Sequence, residues 1–486
     1  MTTELGPPGA PDAASPTAGF STGVDSGAAA LAATVHDRTA AGIAAAVSRR
    51  IRSGALLPGD RLPTVREVAR ELKVSPATVT QAWRALANTG AIVARGRAGT
   101  FVDAVAKPVT TRPTGRYQRL HSESDSAFRI DLSRGTPDPA LLPDLTAALR
   151  VLADADSIDD LSATYLGNAV LPELEALVRA EWPMRAERFT VVDGALDAVD
   201  RLLTAHVHLG DEVIVENPCF PPFLDLLSRI GARPVPVRMD ESGLLPGELA
   251  DAVARHSPTA LLFQPRAQNP TGASLSTRRV RELADALAGT AVLIIEDDHS
   301  DGIAHSPLRS LGARLPTHTV HIRSYSKSHG ADLRLAVVGG PANLLDPVIE
   351  RRMLGPGWSS RLLQRVLLHM LTDPASRHTV ATARAEYRSR ADALRKSLAR
   401  QGITIPRGDG INLWLPVADE NAAMISLAAA GIKVAPGGPF EVTDHPHNDH
   451  LRLTVAALHA ADLPDVAGHL ATAVAATPTY RRIRRT

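Results

Sequence analysis

Ser324-Tyr-Ser-Lys327, preceded by Thr319-Val-His-Ile322 and followed by Arg334, decides how the larger part of this chain is read. The run from Thr319 has the apolar, β-branched character of a strand, and the C-terminal edge of a strand is where α/β sheets bind ligands. Lysine is scarce: only Lys73, Lys107, Lys327, Lys396 and Lys433 occur among 53 basic residues, so a lysine bracketed by serines at this place is informative. Removed from water, its amine loses a proton readily enough to attack a carbonyl, and Arg334 supplies a charge that suits a phosphate. The competing reading is an ordinary solvated loop lysine.

At 486 residues with 44% apolar content, the chain suffices for two or three domains with sizeable cores. Aromatics make up only 3%, which makes an aromatic at a motif position more telling. The net charge of +1 hides an asymmetry: His36 to Val102 holds eleven Arg or Lys against four Asp or Glu, the surplus expected of a segment that meets nucleic acid. One cysteine, Cys219, forbids an intramolecular disulfide and suits a reducing compartment; with no motif asking for a thiolate it reads as a small buried residue. No apolar run approaches the roughly 20 residues that span a bilayer, and no basic-then-apolar leader opens the sequence. A cytoplasmic location is expected.

Residues 1–35 are Ala, Gly, Pro, Ser and Thr with almost no large apolar side chain, and they read as a disordered tail. From Arg38, Ile43, Val47 and Ile51 recur at helical spacing. Thr64 and Glu67 make a capping box for a second helix, Lys73-Val74 is a tight turn, and Ser75 caps a third helix with Pro76 at its first position. In that helix Val79, Ala82, Trp83 and Leu86 face inward, while Ala77, Thr78, Thr80, Gln81 and Arg84 face out. Strand-like Ala91-Ile-Val-Ala94 and Thr100-Phe-Val102 flank Arg95-Gly-Arg-Ala-Gly99, a hairpin with arginines at its tip. The run from Ser53 to Val102 resembles the winged helix-turn-helix of GntR-type regulators, which sets this domain at 36–103. The resemblance implies that Arg66, Ser75, Thr78, Thr80 and Arg97 contact double-stranded operator DNA. Pro76 and Thr80 stand where many relatives carry arginine, so base-edge readout differs here. Residues 104–128 lack periodicity and read as a linker.

From 129 to 480, strand-like runs (Arg188–Val192, Glu212–Val215, Ala260–Phe263, Ala291–Ile295, Leu335–Gly339) alternate with helical ones, which argues for a mainly parallel sheet between helix layers. The turn Val192-Asp-Gly-Ala-Leu196 opens a helix whose N–H groups can hold a phosphate. Gln268-Asn-Pro-Thr-Gly272, Glu296-Asp-Asp298 and His450-Leu-Arg-Leu-Thr454 complete the constellation. Together these motifs resemble class I/II aminotransferases of fold type I, an α/β fold with a smaller C-terminal lobe that binds pyridoxal 5′-phosphate. The resemblance implies that Lys327 carries the cofactor as a Schiff base. Phe220 would stack on its ring, Asn269 would donate to its ring oxygen, and Asp297 would hold its pyridine nitrogen. Gly194, Ala195, Leu196, Ser324, Ser326 and Arg334 would clamp its phosphate, and Arg452 would grip a substrate carboxylate. His299 stands where relatives carry a tyrosine, with an imidazole that could still donate to the ring oxygen. Tyr165 occupies the place from which relatives reach a partner subunit's phosphate. His445-Pro-His-Asn-Asp-His450 reads as a polar loop, not a metal site.

The whole resembles the MocR subgroup: a multidomain chain with an N-terminal winged helix-turn-helix and an α/β PLP-dependent transferase fold. The expected function is a homodimeric, PLP-dependent transcriptional regulator that binds PLP or an amino compound as an aldimine. An active aminotransferase carrying a DNA-binding domain is the alternative, and the retained Asn269 speaks for it.

Overall fold

The computed structural model describes residues 27–52, 55–57, 59–88, 91–102, 116, 128–153, 168–443 and 449–476, in two compact units, Met1–Thr111 and Arg112–Thr486. Of the expected disordered tail 1–35, residues 1–26 lie outside the described residues, as do Tyr165, most of the 104–128 stretch and 444–448 of the histidine tract; the rest corrects the expectation, because Ala28–Ala32 is a helix that buries Leu31, and Arg50 donates to its Ala30 carbonyl at 2.9 Å.

In the first unit the expected elements are present. The helix Val65–Leu72 starts with a capping box, Thr64 Oγ1 accepting from the Glu67 N–H and Glu67 Oε2 from the Thr64 N–H. It stops at Lys73, whose left-handed φ of 54° makes the tight turn. The helix Pro76–Asn88 buries Val79, Ala82, Trp83 and Leu86, as its spacing requires. Strands β1 (Arg61–Leu62), β2 (Ile92–Ala94) and β3 (Thr100–Val102) form an antiparallel sheet in the order β1-β3-β2. The two-residue β1 was not legible from pattern. Its Arg61 runs across Gly99, where a Cβ would lie 2.8 Å from the guanidinium Nε and φ is 112°, so the wing turn needs glycine for space as well as backbone conformation.

The second unit has an eight-stranded mixed sheet. In chain order its strands are β5 (Arg188–Val192), β6 (Glu212–Asn217), β7 (Arg233–Asp240), β8 (Gly243–Leu244), β9 (Ala260–Phe263), β10 (Leu293–Asp298), β11 (Thr319–Ser324) and β12 (Ala336–Gly340), arranged β5-β12-β11-β10-β9-β6-β7-β8. β11, β10, β9, β6 and β7 pair in parallel, while β12 runs antiparallel to both neighbours. Helices cover the sheet, with Leu202, Leu203, Phe223 and Leu227 packed on Val213, Val215, Leu262 and Ile295 on one side and Leu249, Leu283 and Leu287 on Ile214, Leu261 and Ile294 on the other. Each such side chain contributes roughly 1.5–3 kcal/mol on burial.

The sequence pattern ended the strand before Glu296-Asp-Asp298, whereas β10 runs through all three acids, and all are buried. They are tolerated because each finds partners: Glu296 accepts from the Leu311 N–H at 2.6 Å, Asp297 from the Gln264 amide at 2.8 Å and Asp298 from the Arg266 guanidinium at 2.7 and 2.8 Å. A smaller lobe follows the long helix Pro374–Ala399. Its sheet joins β13 (Asn412–Pro416), β16 (His450–Thr454) and β15 (Ala435–Pro436), while β14 (Ile432–Lys433) pairs in parallel with β4 (Ile130–Asp131) at the start of the unit. Arg116, inside the stretch expected to be linker, is fixed to this unit by bonds to Asp225 and the Pro439 and Glu441 carbonyls.

Candidate functional site

Strand register assembles the cleft. Ser324, Ala336 and Val192 lie in one row across β11, β12 and β5, so the residues two positions outside that row, Ser326, Arg334 and Gly194, gather at one sheet edge. Gly194, at φ 103°, opens the helix Ala195–His206, whose first N–H groups lack helical acceptors. A Cβ on Gly194 would lie 3.0 Å from Arg334 Nη2, and that nitrogen donates to the Asp193 carbonyl at 2.9 Å. An exposed guanidinium thus sits on a helix N-terminus, the arrangement that binds a phosphate. Ser324 is buried, its Oγ accepting from the Ser326 N–H at 3.4 Å.

Lys327 follows β11 and reaches the Gly135 carbonyl. Burial first, and then the nearby Arg452 cation, bring its ammonium down to about 8, with Asp297 acting in the opposite sense. Arg452, buried on β16, donates to the Ser133 carbonyl and lies over the Phe440 ring at 5.5 Å. Gly135 takes a φ of 64°, and a Cβ there would come within 2.9 Å of Arg452 Nη1. Its N–H donates to Thr454 Oγ1 at 2.9 Å. Ser133 and Gly135 carried no motif and were missed in the sequence.

On β10, burial pushes the Asp297 carboxyl up to about 7, against the Gln264 bond and with Asp298 adding to the rise. Asp297 Oδ1 and Asn269 Oδ1 are both buried with no hydrogen-bond partner. Beside them lies Glu216, buried and pushed up to about 8, another residue no motif had marked. His299 Nε2 stands 2.9 Å from the Ala267 carbonyl. A carbonyl only accepts, so Nε2 carries the ring proton. Burial, with Lys327 nearby, brings the ring down to about 4. The neutral ring therefore has a bare Nδ1: where the sequence suggested a donor to a ring oxygen, His299 offers an acceptor. Phe220 is half-buried beyond β6, at the N-cap of the helix Pro221–Ile230, with its ring edge-on to Phe223 at 5.3 Å. Cys219 is buried and its thiol is pushed well up, chiefly by burial, in keeping with a packing residue.

These residues suit pyridoxal phosphate on the observed chemistry. The cleft offers a lysine of lowered basicity, an unpartnered acid oxygen for a pyridinium N–H, and a phosphate-sized cradle at Gly194 and Arg334. No group of three or more His, Cys, Asp or Glu among the described residues could hold a metal, and no described helix is long and apolar enough to cross a membrane.

On the first unit, Ser75 Oγ accepts from the Thr78 N–H at 3.1 Å and shares a hydrogen bond with Thr78 Oγ1 at 2.8 Å. Thr80 Oγ1 donates back to the Pro76 carbonyl at 2.8 Å. Arg66, Gln81 and Arg84 are exposed on the same pair of helices. Arg97 belongs to the turn Gly96–Ala98; its side chain lies outside the described residues.

Residues 39–102 match the gntR family of bacterial regulatory proteins, and residues 129–470 match aminotransferase class I and II. The vitamin B6 salvage pathway transcriptional repressor PtsJ of Salmonella typhimurium is 35% identical over 90% of this chain and 98% of its own length. The HTH-type transcriptional regulator TauR of Rhodobacter capsulatus is 29% identical over 88% and 95%. In fold, the second unit resembles the α-aminoadipate aminotransferase LysN of Thermus thermophilus (TM-score 0.65, 21% identity, 74% of this chain and 96% of that one). It also resembles the aspartate aminotransferase of the same organism (TM-score 0.64, 23% identity, 74% and 97%). A gntR-type winged helix and an aminotransferase-type unit in one chain, shared almost end to end with named transcriptional regulators, place this protein in the MocR type of GntR regulators.

Proposed function

We propose that the second unit is the sensor of this regulator. It would hold pyridoxal phosphate through Lys327, Asp297, Asn269, Arg334 and the Gly194 turn, and its occupancy would set the affinity of the winged helices for operator DNA in a cytoplasmic homodimer. The observation that carries this is the cluster of Lys327, Asp297 and Arg452, in which the half-buried amine reaches the Gly135 carbonyl, Gly135 lies against the buried Arg452 guanidinium, and the buried Asp297 carboxyl is near enough to act on the amine. When bound, the cofactor supplies an aldehyde that takes up amines and a ring that accepts electrons. The chain's part is to bind and orient. Lys327 would provide the attaching amine, Arg452 would grip a carboxylate, and the buried Asp297 Oδ1, without a hydrogen-bond partner, would accept from the ring. That the relative PtsJ is a transcriptional repressor of the vitamin B6 salvage pathway supports the cofactor itself as the effector; an amino compound reaching Arg452 is the other effector class.

A working aminotransferase is the second reading, favoured by the presence of both Asn269 and Arg452. Against rapid turnover stands His299, neutral and with its only N–H occupied by Ala267, since fast proton movement needs a group that both takes and gives protons near neutral pH. The deciding experiment titrates pyridoxal phosphate and then amino acids into the purified protein, following visible absorbance, operator binding and keto-acid release. Coupling is reciprocal, so an effector that shifts DNA affinity must have its own affinity shifted by operator by the same factor. Turnover at about 1 s⁻¹ or faster with no such coupling would replace the sensor with the enzyme.

A further inference from the structure

We propose that Gln264 is a positioning residue that yokes Asp297 to Asn269, so that a single amide aims both side chains that would hold the cofactor ring; this rests on the cofactor site proposed above. Gln264 directly follows β9, and because Phe263 pairs with Glu296, it emerges beside Asp297. Its Oε1 accepts from the Asn269 N–H at 2.8 Å and its Nε2 donates to Asp297 Oδ2 at 2.8 Å. The orientation of the amide follows from chemistry, since the Asn269 N–H can only donate and must face the oxygen. With Oδ2 occupied, the oxygen that Asp297 has left is Oδ1, buried and without a partner, as is Asn269 Oδ1.

The yoke is itself anchored. The Gln264 N–H donates to Glu216 Oε2 at 3.1 Å, and the Gln268 amide reaches the same oxygen at 3.4 Å. Gln264 and Glu216 are 3% and 1% exposed, so water cannot substitute for any of these bonds. Gln264 need not touch the cofactor. Its effect would pass through the angle of the Asp297 carboxylate and the height of the Asn269 backbone, and a change at either ring contact would be felt at the other.

The test uses the full-length protein and its Gln264→Leu and Gln264→Glu variants, with pyridoxal phosphate as the probe. Three quantities are read: affinity for the probe, the pH midpoint of its visible band, and the melting temperature without it. Gln264→Leu is expected to bind about tenfold more weakly, the scale of a lost hydrogen bond to a charged group, and to move the band midpoint by about one pH unit. Gln264→Glu keeps length and the acceptor for Asn269, but can donate to Asp297 only while protonated. It should therefore bind nearly as wild type at pH 5.5 and progressively worse toward pH 8, a trend the leucine variant lacks. Unchanged affinity and midpoint in a folded Gln264→Leu overturn the proposal, as does a loss that merely tracks melting temperature with the midpoint fixed. Should Gln264→Leu fail to fold, Gln264→Glu decides, because a glutamate variant with no pH trend of its own also overturns it. If wild type fails to bind the probe, the cofactor reading itself falls and the yoke with it.

Discussion

At pH 7 an amine whose proton leaves at about 8 is free in about one molecule in ten, against about one in three thousand for an unperturbed lysine, and this difference makes Lys327 a reactive group. Part of the lowering comes from Arg452, so Arg452→Gln should slow the uptake of pyridoxal phosphate at pH 7 and move its rate profile toward higher pH; a profile identical to wild type would remove Arg452 from the neighbourhood. Borohydride should fix the probe to Lys327 alone, and Lys327→Ala should abolish the visible band; label found on another lysine would refute the assignment. Asp297 and Glu216 bear on stability. Their folded values, about 7 and about 8, lie above the ordinary carboxylate range near 4, so the folded chain holds protons that the unfolded chain has released. Stability from these groups is full below that range and is lost as pH rises through 7 and 8. Below about pH 6.5 the lowered His299 and His329 rings act in the opposite sense, so cofactor-free protein should melt progressively lower from about pH 6.5 to about pH 8, and Glu216→Gln should flatten the decline; an identical slope in the variant would sink the idea. Lys327, Asn269, Asp297, Arg334 and Arg452 could be picked out as candidates because each stands in a short motif after or within a strand. Gln264, Glu216 and Gly135 could not, because their roles arise from neighbours on other strands.

Elements held by local chemistry were the easiest to read from sequence. The capping box at Thr64 and Glu67, the left-handed stop at Lys73 and the inward face of Pro76–Asn88 each depend on residues within four positions of one another. Thr64→Ala should lower the stability of the winged unit by about 1 kcal/mol, measurable by denaturant melts; no change would mean the cap is replaceable. Arg66, exposed in that same helix, is expected to meet a phosphate. Arg66→Ala should weaken binding to all duplexes alike and reduce the salt slope by about one, whereas a loss confined to one sequence would assign it to a base. Pairings such as β1 with β3 and β4 with β14 escaped the pattern because two-residue strands carry no periodicity and their partners are chosen by tertiary packing.

For the molecule as a whole, the proposed homodimer needs a surface for the second copy, and we propose the apolar side chains left in water. Leu145 and Leu149 on the helix Leu145–Ala153, and Leu362 on the helix Arg361–Thr372 that packs against it, are 41–44% exposed, and Leu354 just before is 92% exposed. Leu354→Asp should shift the assembly toward monomer in light scattering and weaken operator binding, since two linked half-site contacts become one; a full dimer would place the interface elsewhere. The pairing of β4 with β14 has a different consequence, one of timing. Ile130 waits for Ile432, and β5, made early, sits beside β12, made much later, so the large unit cannot close until most of it has left the ribosome. The winged unit, compact by itself and built from near neighbours, is expected to fold as soon as it emerges. During every round of synthesis, therefore, a part shaped for DNA exists before the part that would govern it, and a chain cut short before residue 430 would be left with the reader and no control.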